Sequence, residues 1–219
     1  MKRTPRISLP KLPKQLAPTA LQLDTIRDED EFSAFLSSGA ELADVAVAHL
    51  RLAQGHLQNA NLSGARLLSP RLANLKLSSC DLANADWFQT AGQRVQMTDC
   101  RLVGFAANES RWQDLRIERS LCTAAQFRFA TLKRTIFADC DLRGASFQGT
   151  DLTGIQFRKC NLDGVQFSGA TLKGADLRGC SIIDIKIGVN ELAGAIVEHF
   201  QAAYLASLMG VVIKDEHEP

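Results

Sequence analysis

Large apolar residues recur at every fifth position of this chain from Val47 to Ile187. Of the 29 positions in that series, 26 hold a large apolar residue, and the exceptions are Gly92, Ala107 and Cys122. A second regular position, two residues before each of these, is usually small, most often Ala or Cys, and the other three are mostly polar or charged. A period of five fits neither an amphipathic helix nor an alternating strand. The pattern therefore predicts a chain that turns every five residues.

The repeat has a specific five-residue motif. Ala60 is followed by Asn-Leu, and Ala175 is followed by Asp-Leu. These segments resemble the consensus of the pentapeptide-repeat family, Ala-(Asp/Asn)-Leu-x-x, and the resemblance extends roughly over residues 45–187. It implies an all-β fold, a right-handed quadrilateral parallel β-helix with four pentapeptides per coil and short helical caps at the termini. About seven coils, about 4.8 Å apart, would make a rod about 34 Å long.

Several aromatic residues follow the repeat. Phe127, Phe147 and Phe167 are one coil apart at large inward positions, so we expect them to stack in the core. Phe105 occupies a position that is usually small, and the next large position holds only Ala107, which indicates an exchange of volume. The five-residue count is never interrupted along the series, so no large loop is expected to leave the rod. The outward aromatics within the repeats are Phe88 and Phe129, which either anchor a partner or cover a turn.

Both ends of a repeat rod need a cap, and the terminal segments differ from the repeats. We divide the chain into a proline-rich arm with a capping helix at residues 1–44, the β-helix at 45–197, and a C-terminal helix and tail at 198–219. Asp28 is a candidate N-cap for a helix over about 29–38. That helix is expected to close the core through Phe32, Phe35 and Leu36.

The C-terminal segment has an apolar pattern of its own. A helix is predicted from His199 to a stop at Gly210. One side of it is an apolar stripe formed by Phe200, Ala203, Tyr204 and Leu208. The segment is similar to the C-terminal helix of the quinolone-resistance branch of the pentapeptide-repeat family, and this resemblance implies a homodimer joined end to end. The alternative is that the stripe caps its own rod.

No arrangement in the sequence points to catalysis, which needs a nucleophile beside a base or metal ligands at a workable spacing. His49 and His56 fall at outward positions, and we expect no enzyme activity, cofactor or metal site. Five of the six cysteines are separated by multiples of one coil, with Ser120 at the missing rung, and are expected to form an inward column: Cys80, Cys100, Cys140, Cys160 and Cys180. A small, weakly polar core residue is the favoured role, and redox or soft-metal chemistry is the alternative.

Charge bears on the choice of partner. Residues 45–187 hold 18 Lys or Arg and 12 Asp or Glu, a net charge of +6, in a chain of formal net charge +1. One side of the coil is basic and is a possible binding face, with Arg51, Arg71, Arg94, Arg111, Lys133, Arg134 and Lys173. The side with the cysteines is acidic, with Asp81, Asp141, Asp163 and Asp184. Quinolone-resistance members of the family are described as DNA mimics that bind type II topoisomerases, and that mechanism requires negative potential.

The sequence thus predicts a non-catalytic, rigid binding or scaffold protein with an unidentified protein partner. The alternative is a DNA-mimic protein that binds DNA gyrase or a related topoisomerase and modulates or protects it, which the basic repeats disfavour. Direct binding of nucleic acid is not expected, because the cations of the basic side are widely spaced. The N-terminus lacks the apolar run of a secretory signal, and no segment is long and apolar enough to span a membrane. We therefore expect a cytoplasmic protein.

Overall fold

A computed structural model describes residues 7–22 and 24–214, and in it the chain winds as a parallel β-solenoid of about seven turns. Consecutive turns are in a 20-residue register: Arg51 pairs with Arg71, Arg71 with Ala91, and Ala91 with Arg111. Isolated bridges repeat this offset on the other sides of the coil. Four pentapeptides therefore make one turn, which confirms the β-helix implied by the repeat.

Some strands extend over two consecutive sides of a coil and are eight residues long, and the others are two to four residues long. They are β1 (Ala17–Pro18), β2 (Glu31–Ser33), β3 (Phe35–Ser38), β4 (Ala46–Ala48), β5 (Arg51–Gln58), β6 (Arg66–Leu68), β7 (Arg71–Ser78), β8 (Ala91–Thr98), β9 (Arg111–Glu118), β10 (Thr131–Lys133), β11 (Ile136–Ala138) and β12 (Gln156–Arg158). The main sheet has the order β1-β3-β5-β7-β8-β9-β11-β12, with β2 on β5 and β10 on β9, and β4 pairs with β6. The helix α1 (His199–Leu208) follows the last turn.

The chain turns at the last residue of each pentapeptide. This residue has a positive φ, for example 53° at Asn74 and 66° at Gly144. Such angles bring a Cβ close to the following carbonyl, and glycine takes them without that steric cost. The glycines of the later repeats are therefore turn residues.

The axis of the solenoid is filled by side chains from the two inward positions of each pentapeptide. Phe127, Phe147 and Phe167 stack with ring centroids 5.4 and 5.7 Å apart, which confirms the predicted column. Phe137 and Phe157 form a second stack at 5.6 Å, and the two stacks meet edge to face. All five rings are buried, so these aromatics belong to the core.

The predicted N-terminal helix over residues 29–38 is wrong. This segment forms β2 and β3, which pair with β5. Ala34 between the two strands has a φ of 53°, which is outside the right-handed helical region. The five-residue pattern in fact begins before Val47, because Phe32 lies in register with Leu52. The acidic residues after Asp28 looked like the first turn of a helix, but the parallel pairing with the next coil determines the local structure.

An exchange of volume hides the repeat in this segment. Phe35 occupies a usually small inward position, and the following large position holds Ser37; both are buried. The Phe35 ring takes the space of a side chain in the next coil, since a Cβ on Gly55 would lie 2.2 Å from Phe35 Cε1. Phe35 therefore fills the core of two coils, and the segment closes the N-terminal end as a further turn of strand.

Residues 7–19, which we call the arm, run along the outside of the rod. The Ser8 N–H donates to Asp114 Oδ1 and the Lys11 N–H donates to Asn74 Oδ1, both at 3.1 Å. Asp114 and Asn74 are two coils apart, about 9.6 Å, and three extended residues span about 10 Å. The arm therefore crosses the coils in an extended conformation. At the N-terminal end, β1 within the arm pairs with β3.

The C-terminal end of the rod is covered by α1. Gln201 and Leu205 are its buried residues. Gln201 Nε2 donates to the carbonyl oxygens of Leu177 and Cys180, each at 2.9 Å, and its Oε1 accepts from the Glu198 N–H at 2.9 Å. Carbonyls of the last turns are thereby satisfied. Within the described residues, no helix has the length and apolar character needed to cross a membrane.

Candidate binding surfaces

The basic side is one continuous strip of the solenoid. In successive coils its first position holds Arg51, Arg71, Ala91, Arg111 and Thr131 in direct register. Neighbouring coils are about 4.8 Å apart. The structure places all the predicted residues on this strip or at the corner that follows it: Arg51, Arg71, Arg94, Arg111, Lys133, Arg134 and Lys173.

Three of these cations are engaged by neighbours on the rod. Arg134 donates to both carboxylate oxygens of Asp114, each at 2.7 Å. Arg94 Nε donates to Asn74 Oδ1 at 2.6 Å. Arg51 lies 3.5 Å from a carboxylate oxygen of Glu31. These three side chains therefore contribute to the ladder between coils as well as to the surface charge.

The remaining four cations of the basic side form no ion pair with the described residues, so their charge is available to a partner. Among the residues that the structure describes, none of the ion pairs involves Arg71, Arg111, Lys133 or Lys173. All four are exposed. Lys11 of the arm is also exposed and follows the backbone contact with Asn74. The prolines predict the arm, but they do not predict its path beside the basic side. The arm is held by hydrogen bonds to Asp114 and Asn74, and in the sequence both residues occupy ordinary turn positions of the repeat.

Asp114 is the buried acid of this strip, with its side chain only 2% exposed. The hydrogen bonds from Arg134 lower the pKa of its carboxyl, and the bond from the Ser8 N–H lowers it further, against the effect of burial. A buried carboxylate is stable only when it is paired and hydrogen-bonded. Asp114 therefore remains ionised and joins Arg134 to the arm.

A depression opens in the middle of the basic side. Gly92 occupies a position that is usually large, and Trp112 of the next coil takes its space: a Cβ on Gly92 would lie 2.1 Å from Trp112 Cε3. The outward neighbour is only Ala91. The surface therefore sinks into a depression of about 310 Å³ that is also lined by Arg111 and Lys133.

A second depression, of about 510 Å³, lies across the neighbouring corner. It shares the lining residues Ala91, Arg111 and Thr131 with the first, so the two depressions adjoin, and we call them together the groove. Phe129 lines the second depression, is 61% exposed and has a φ of 56°. A left-handed conformation costs a bulky residue roughly 1–2 kcal/mol. Phe129 is thus an exposed aromatic in a strained position at the edge of a groove.

The carboxylates of the acidic side are largely paired. Arg101 contacts Asp81 at 3.1 Å, and Arg143 contacts Asp141 at 2.6 Å. Asp163 accepts hydrogen bonds from Ser181 and from the Ile183 N–H, whereas Asp184 is exposed. Pairing with arginine reduces the negative potential that this side presents.

The predicted stripe of α1 is divided by the structure. Phe200 and Leu208 are 66% and 45% exposed, whereas Ala203 and Tyr204 are half-buried. Tyr204 Oη accepts from the Asp184 N–H at 2.7 Å. Tyr204 of the stripe therefore adds to the contact with the rod, which is made mainly by Gln201 and Leu205, whereas Phe200 and Leu208 stay exposed.

A family model described as a pentapeptide repeat region matches residues 110–187. The same 20-residue register continues outside this match, from β2 to the bridge between Asp176 and Ile196. Residues 110–187 are a pentapeptide repeat region. A comparison with curated proteins found no match.

Solved structures similar to this chain include QnrB1, a plasmid-mediated fluoroquinolone resistance protein. A trypsin-treated variant of QnrB1 is 17% identical with a TM-score of 0.47, over 90% of this chain and 99% of that one. Full-length QnrB1 is 14% identical with a TM-score of 0.46, over the same shares. HetL, a pentapeptide-repeat protein involved in heterocyst differentiation regulation from the cyanobacterium Nostoc, is 21% identical with a TM-score of 0.24, over 75% and 87%.

The cysteine column lies inside the rod, and all six cysteines are buried free thiols. The Cys100 thiol donates to the carbonyl oxygens of Leu77 and Thr98 at 3.7 and 3.4 Å. A hydrogen bond with Cys80, and then burial, raise the pKa of the Cys100 thiol, which keeps it protonated. In the described chain, no group of three His, Cys, Asp or Glu is arranged to hold a metal ion. The geometry is that of small core residues bonded to the backbone.

Proposed function

We propose that this protein is a non-catalytic, rigid binding or scaffold rod, and that its partner is another protein. The observation that carries the proposal is the groove of the basic side, where exposed cations without an ion pair adjoin an exposed aromatic ring. Aromatic and arginine side chains dominate the binding energy of many protein interfaces.

The solenoid supports this role because it fixes the spacing of surface groups. Arg71, Ala91 and Arg111 lie on successive strands of one sheet, and the interior beneath them is closely filled. A surface held in its binding geometry loses little conformational entropy on association. Repeat rods use such extended faces for binding.

We also propose that the protein forms a homodimer and is cytoplasmic. Phe200 and Leu208 remain exposed on α1, and a second copy of the chain would remove them from water. The tail adds Val211, Val212 and Ile213, which are also exposed. Six buried thiols without a disulfide fit a reducing compartment.

Site-specific photo-crosslinking in cells tests the protein-binding role. A photoreactive phenylalanine analogue replaces Gln93 on the basic side or, as the matched control, Leu121 on the acidic side; both positions are exposed. We expect protein adducts from position 93 that are absent at 121. The adducts should disappear when Arg71, Arg111 and Lys133 are changed to Glu, and persist when Arg66, Lys159 and Lys186 are changed to Glu. Equal adducts from both positions, or none at 93, would contradict the proposal.

Modulation or protection of DNA gyrase is the second candidate function. The feature in its favour is an exposed apolar α1 at the end of the β-helix, which is where the resemblance to the quinolone-resistance branch implies a dimer contact. The pairing of Asp81 and Asp141 with arginines weighs against a DNA-like charge distribution. The binding rod with a protein partner is therefore the function we favour.

A further inference from the structure

The groove of the basic side has an arrangement that selects one kind of partner. Arg71 and Arg111 are two coils apart, about 9.6 Å, and the small Ala91 lies between them in register. Neither arginine forms an ion pair with a described residue. A carboxylate placed above Ala91 would therefore lie between two arginines, and a charge-assisted hydrogen bond between arginine and a carboxylate is roughly twice as strong as a neutral one.

Phe129 supplies the apolar part of the same groove. The residues that correspond to Phe129 in the adjoining coils are Glu109 and Gly149. The Phe129 ring lies against Gly149, since a Cβ on Gly149 would be 2.6 Å from Phe129 Cδ1. The exposed face of the ring offers a contact for an apolar side chain.

We propose that the partner binds here through an acidic segment that carries an apolar side chain. Carboxylates of the segment pair with Arg71, Arg111 and Lys133, and the apolar side chain packs on Phe129. The inference rests on the proposed function, because it names the partner chemistry of the same surface.

The groove favours a peptide over a nucleic acid. Glu109 lines the larger depression beside Arg111, and an unbroken row of phosphates would have to pass this carboxylate, whereas a peptide can place its acids away from it. Single-stranded nucleic acids bind across rows of aromatic side chains. Among the described residues of the repeats, Phe129 is the one exposed large aromatic.

Fluorescence anisotropy with defined probes tests the proposal on the full-length protein. The probe is a labelled peptide with Leu-Phe flanked on each side by three Asp or Glu residues. Control probes replace Leu-Phe by Ser-Ser, replace the acids by Lys, or are a short oligothymidylate. We expect the acidic apolar peptide to bind best, with a Kd that rises with salt concentration. The Kd of each control probe should be at least about tenfold higher.

Two variants locate the peptide on the groove. Arg111→Glu should weaken binding about tenfold, whereas Lys159→Glu, an equal charge change at an exposed residue elsewhere, should leave it within about twofold. Phe129→Gly should also weaken binding about tenfold, although glycine suits the positive φ at this corner and the variant should unfold at the same or higher denaturant concentration.

Equal binding by wild type and Phe129→Gly, or equal effects of Arg111→Glu and Lys159→Glu, would overturn the inference. So would an oligothymidylate that binds more tightly than the peptide. If the peptide fails while crosslinks at Gln93 persist, the partner is a protein of another chemistry and the proposed function stands. Loss of both results would remove the proposed function as well.

Discussion

Asp114 is the residue on which the basic side depends, because it joins two parts of the chain that are distant in sequence. Its buried carboxylate accepts two hydrogen bonds from Arg134 and one from the Ser8 N–H. The bonds from Arg134 hold adjacent coils together, and the bond from Ser8 fixes the arm on the rod. A single carboxylate thereby positions both the arm and one side of the groove.

Replacement of Asp114 by Asn should show this contribution. Because its pKa is lowered in the folded state, the ionised carboxyl stabilises the protein above the unfolded pKa, and the contribution is lost as the pH falls through the folded pKa. Asp114→Asn should cost about 1–2 kcal/mol at pH 7, toward the low end since Arg134 is 37% exposed. Urea unfolding measures the change.

The pH dependence separates this effect from a steric one. The difference between wild type and Asp114→Asn should begin to shrink once the pH is below about 4, where the carboxyl of the unfolded chain becomes protonated, and should be lost as the pH falls through the folded pKa. Asp139→Asn, at an exposed residue, should change the free energy of unfolding by less than about 0.5 kcal/mol. A difference that stays constant from pH 7 to pH 3 would show that the charge of Asp114 is not involved.

Residues that break the five-residue pattern mark the limit of sequence-based prediction at this scale. The inward positions follow from the period, including the buried Phe147. The pattern does not show that Trp112 fills the space of Gly92, or that Phe35 fills the space of Gly55. Such exchanges act between coils, 20 residues apart, and depend on side-chain rotamers. The groove, which arises from one of them, was therefore not predictable as a shape.

Among the elements, α1 has two faces with different roles. Gln201 and Leu205 attach it to the last turns, and Phe200 and Leu208 stay exposed on the other face. The helix was predictable because its apolar period differs from that of the repeats and Gly210 ends it. The failed helix at 29–38 shows the converse, since a capping signal there was overridden by pairing with β5.

The exposed face of α1 predicts a dimer that a double substitution should break. Phe200→Asp with Leu208→Asp places charges in the apolar contact, so the mass from light scattering should fall from twice 23.9 kDa to that of one chain. Ala202→Asp, at another exposed position of the helix, should leave the dimer intact. Circular dichroism of all variants should be the same. A wild type that is already monomeric, or a double variant with unchanged mass, would argue against the dimer.

For the whole molecule, the sign of the charge is the property that separates the two candidate functions. A DNA mimic must present negative potential to a basic groove, yet residues 45–187 carry a net charge of +6, and Asp81 and Asp141 of the acidic side are paired with Arg101 and Arg143. We therefore expect no inhibition of gyrase supercoiling, and no rescue from a fluoroquinolone, at micromolar protein. A variant with Asp81, Asp141 and Asp163 changed to Lys is the control. Inhibition or rescue by the wild type that this variant lacks would instead favour topoisomerase binding through the acidic side.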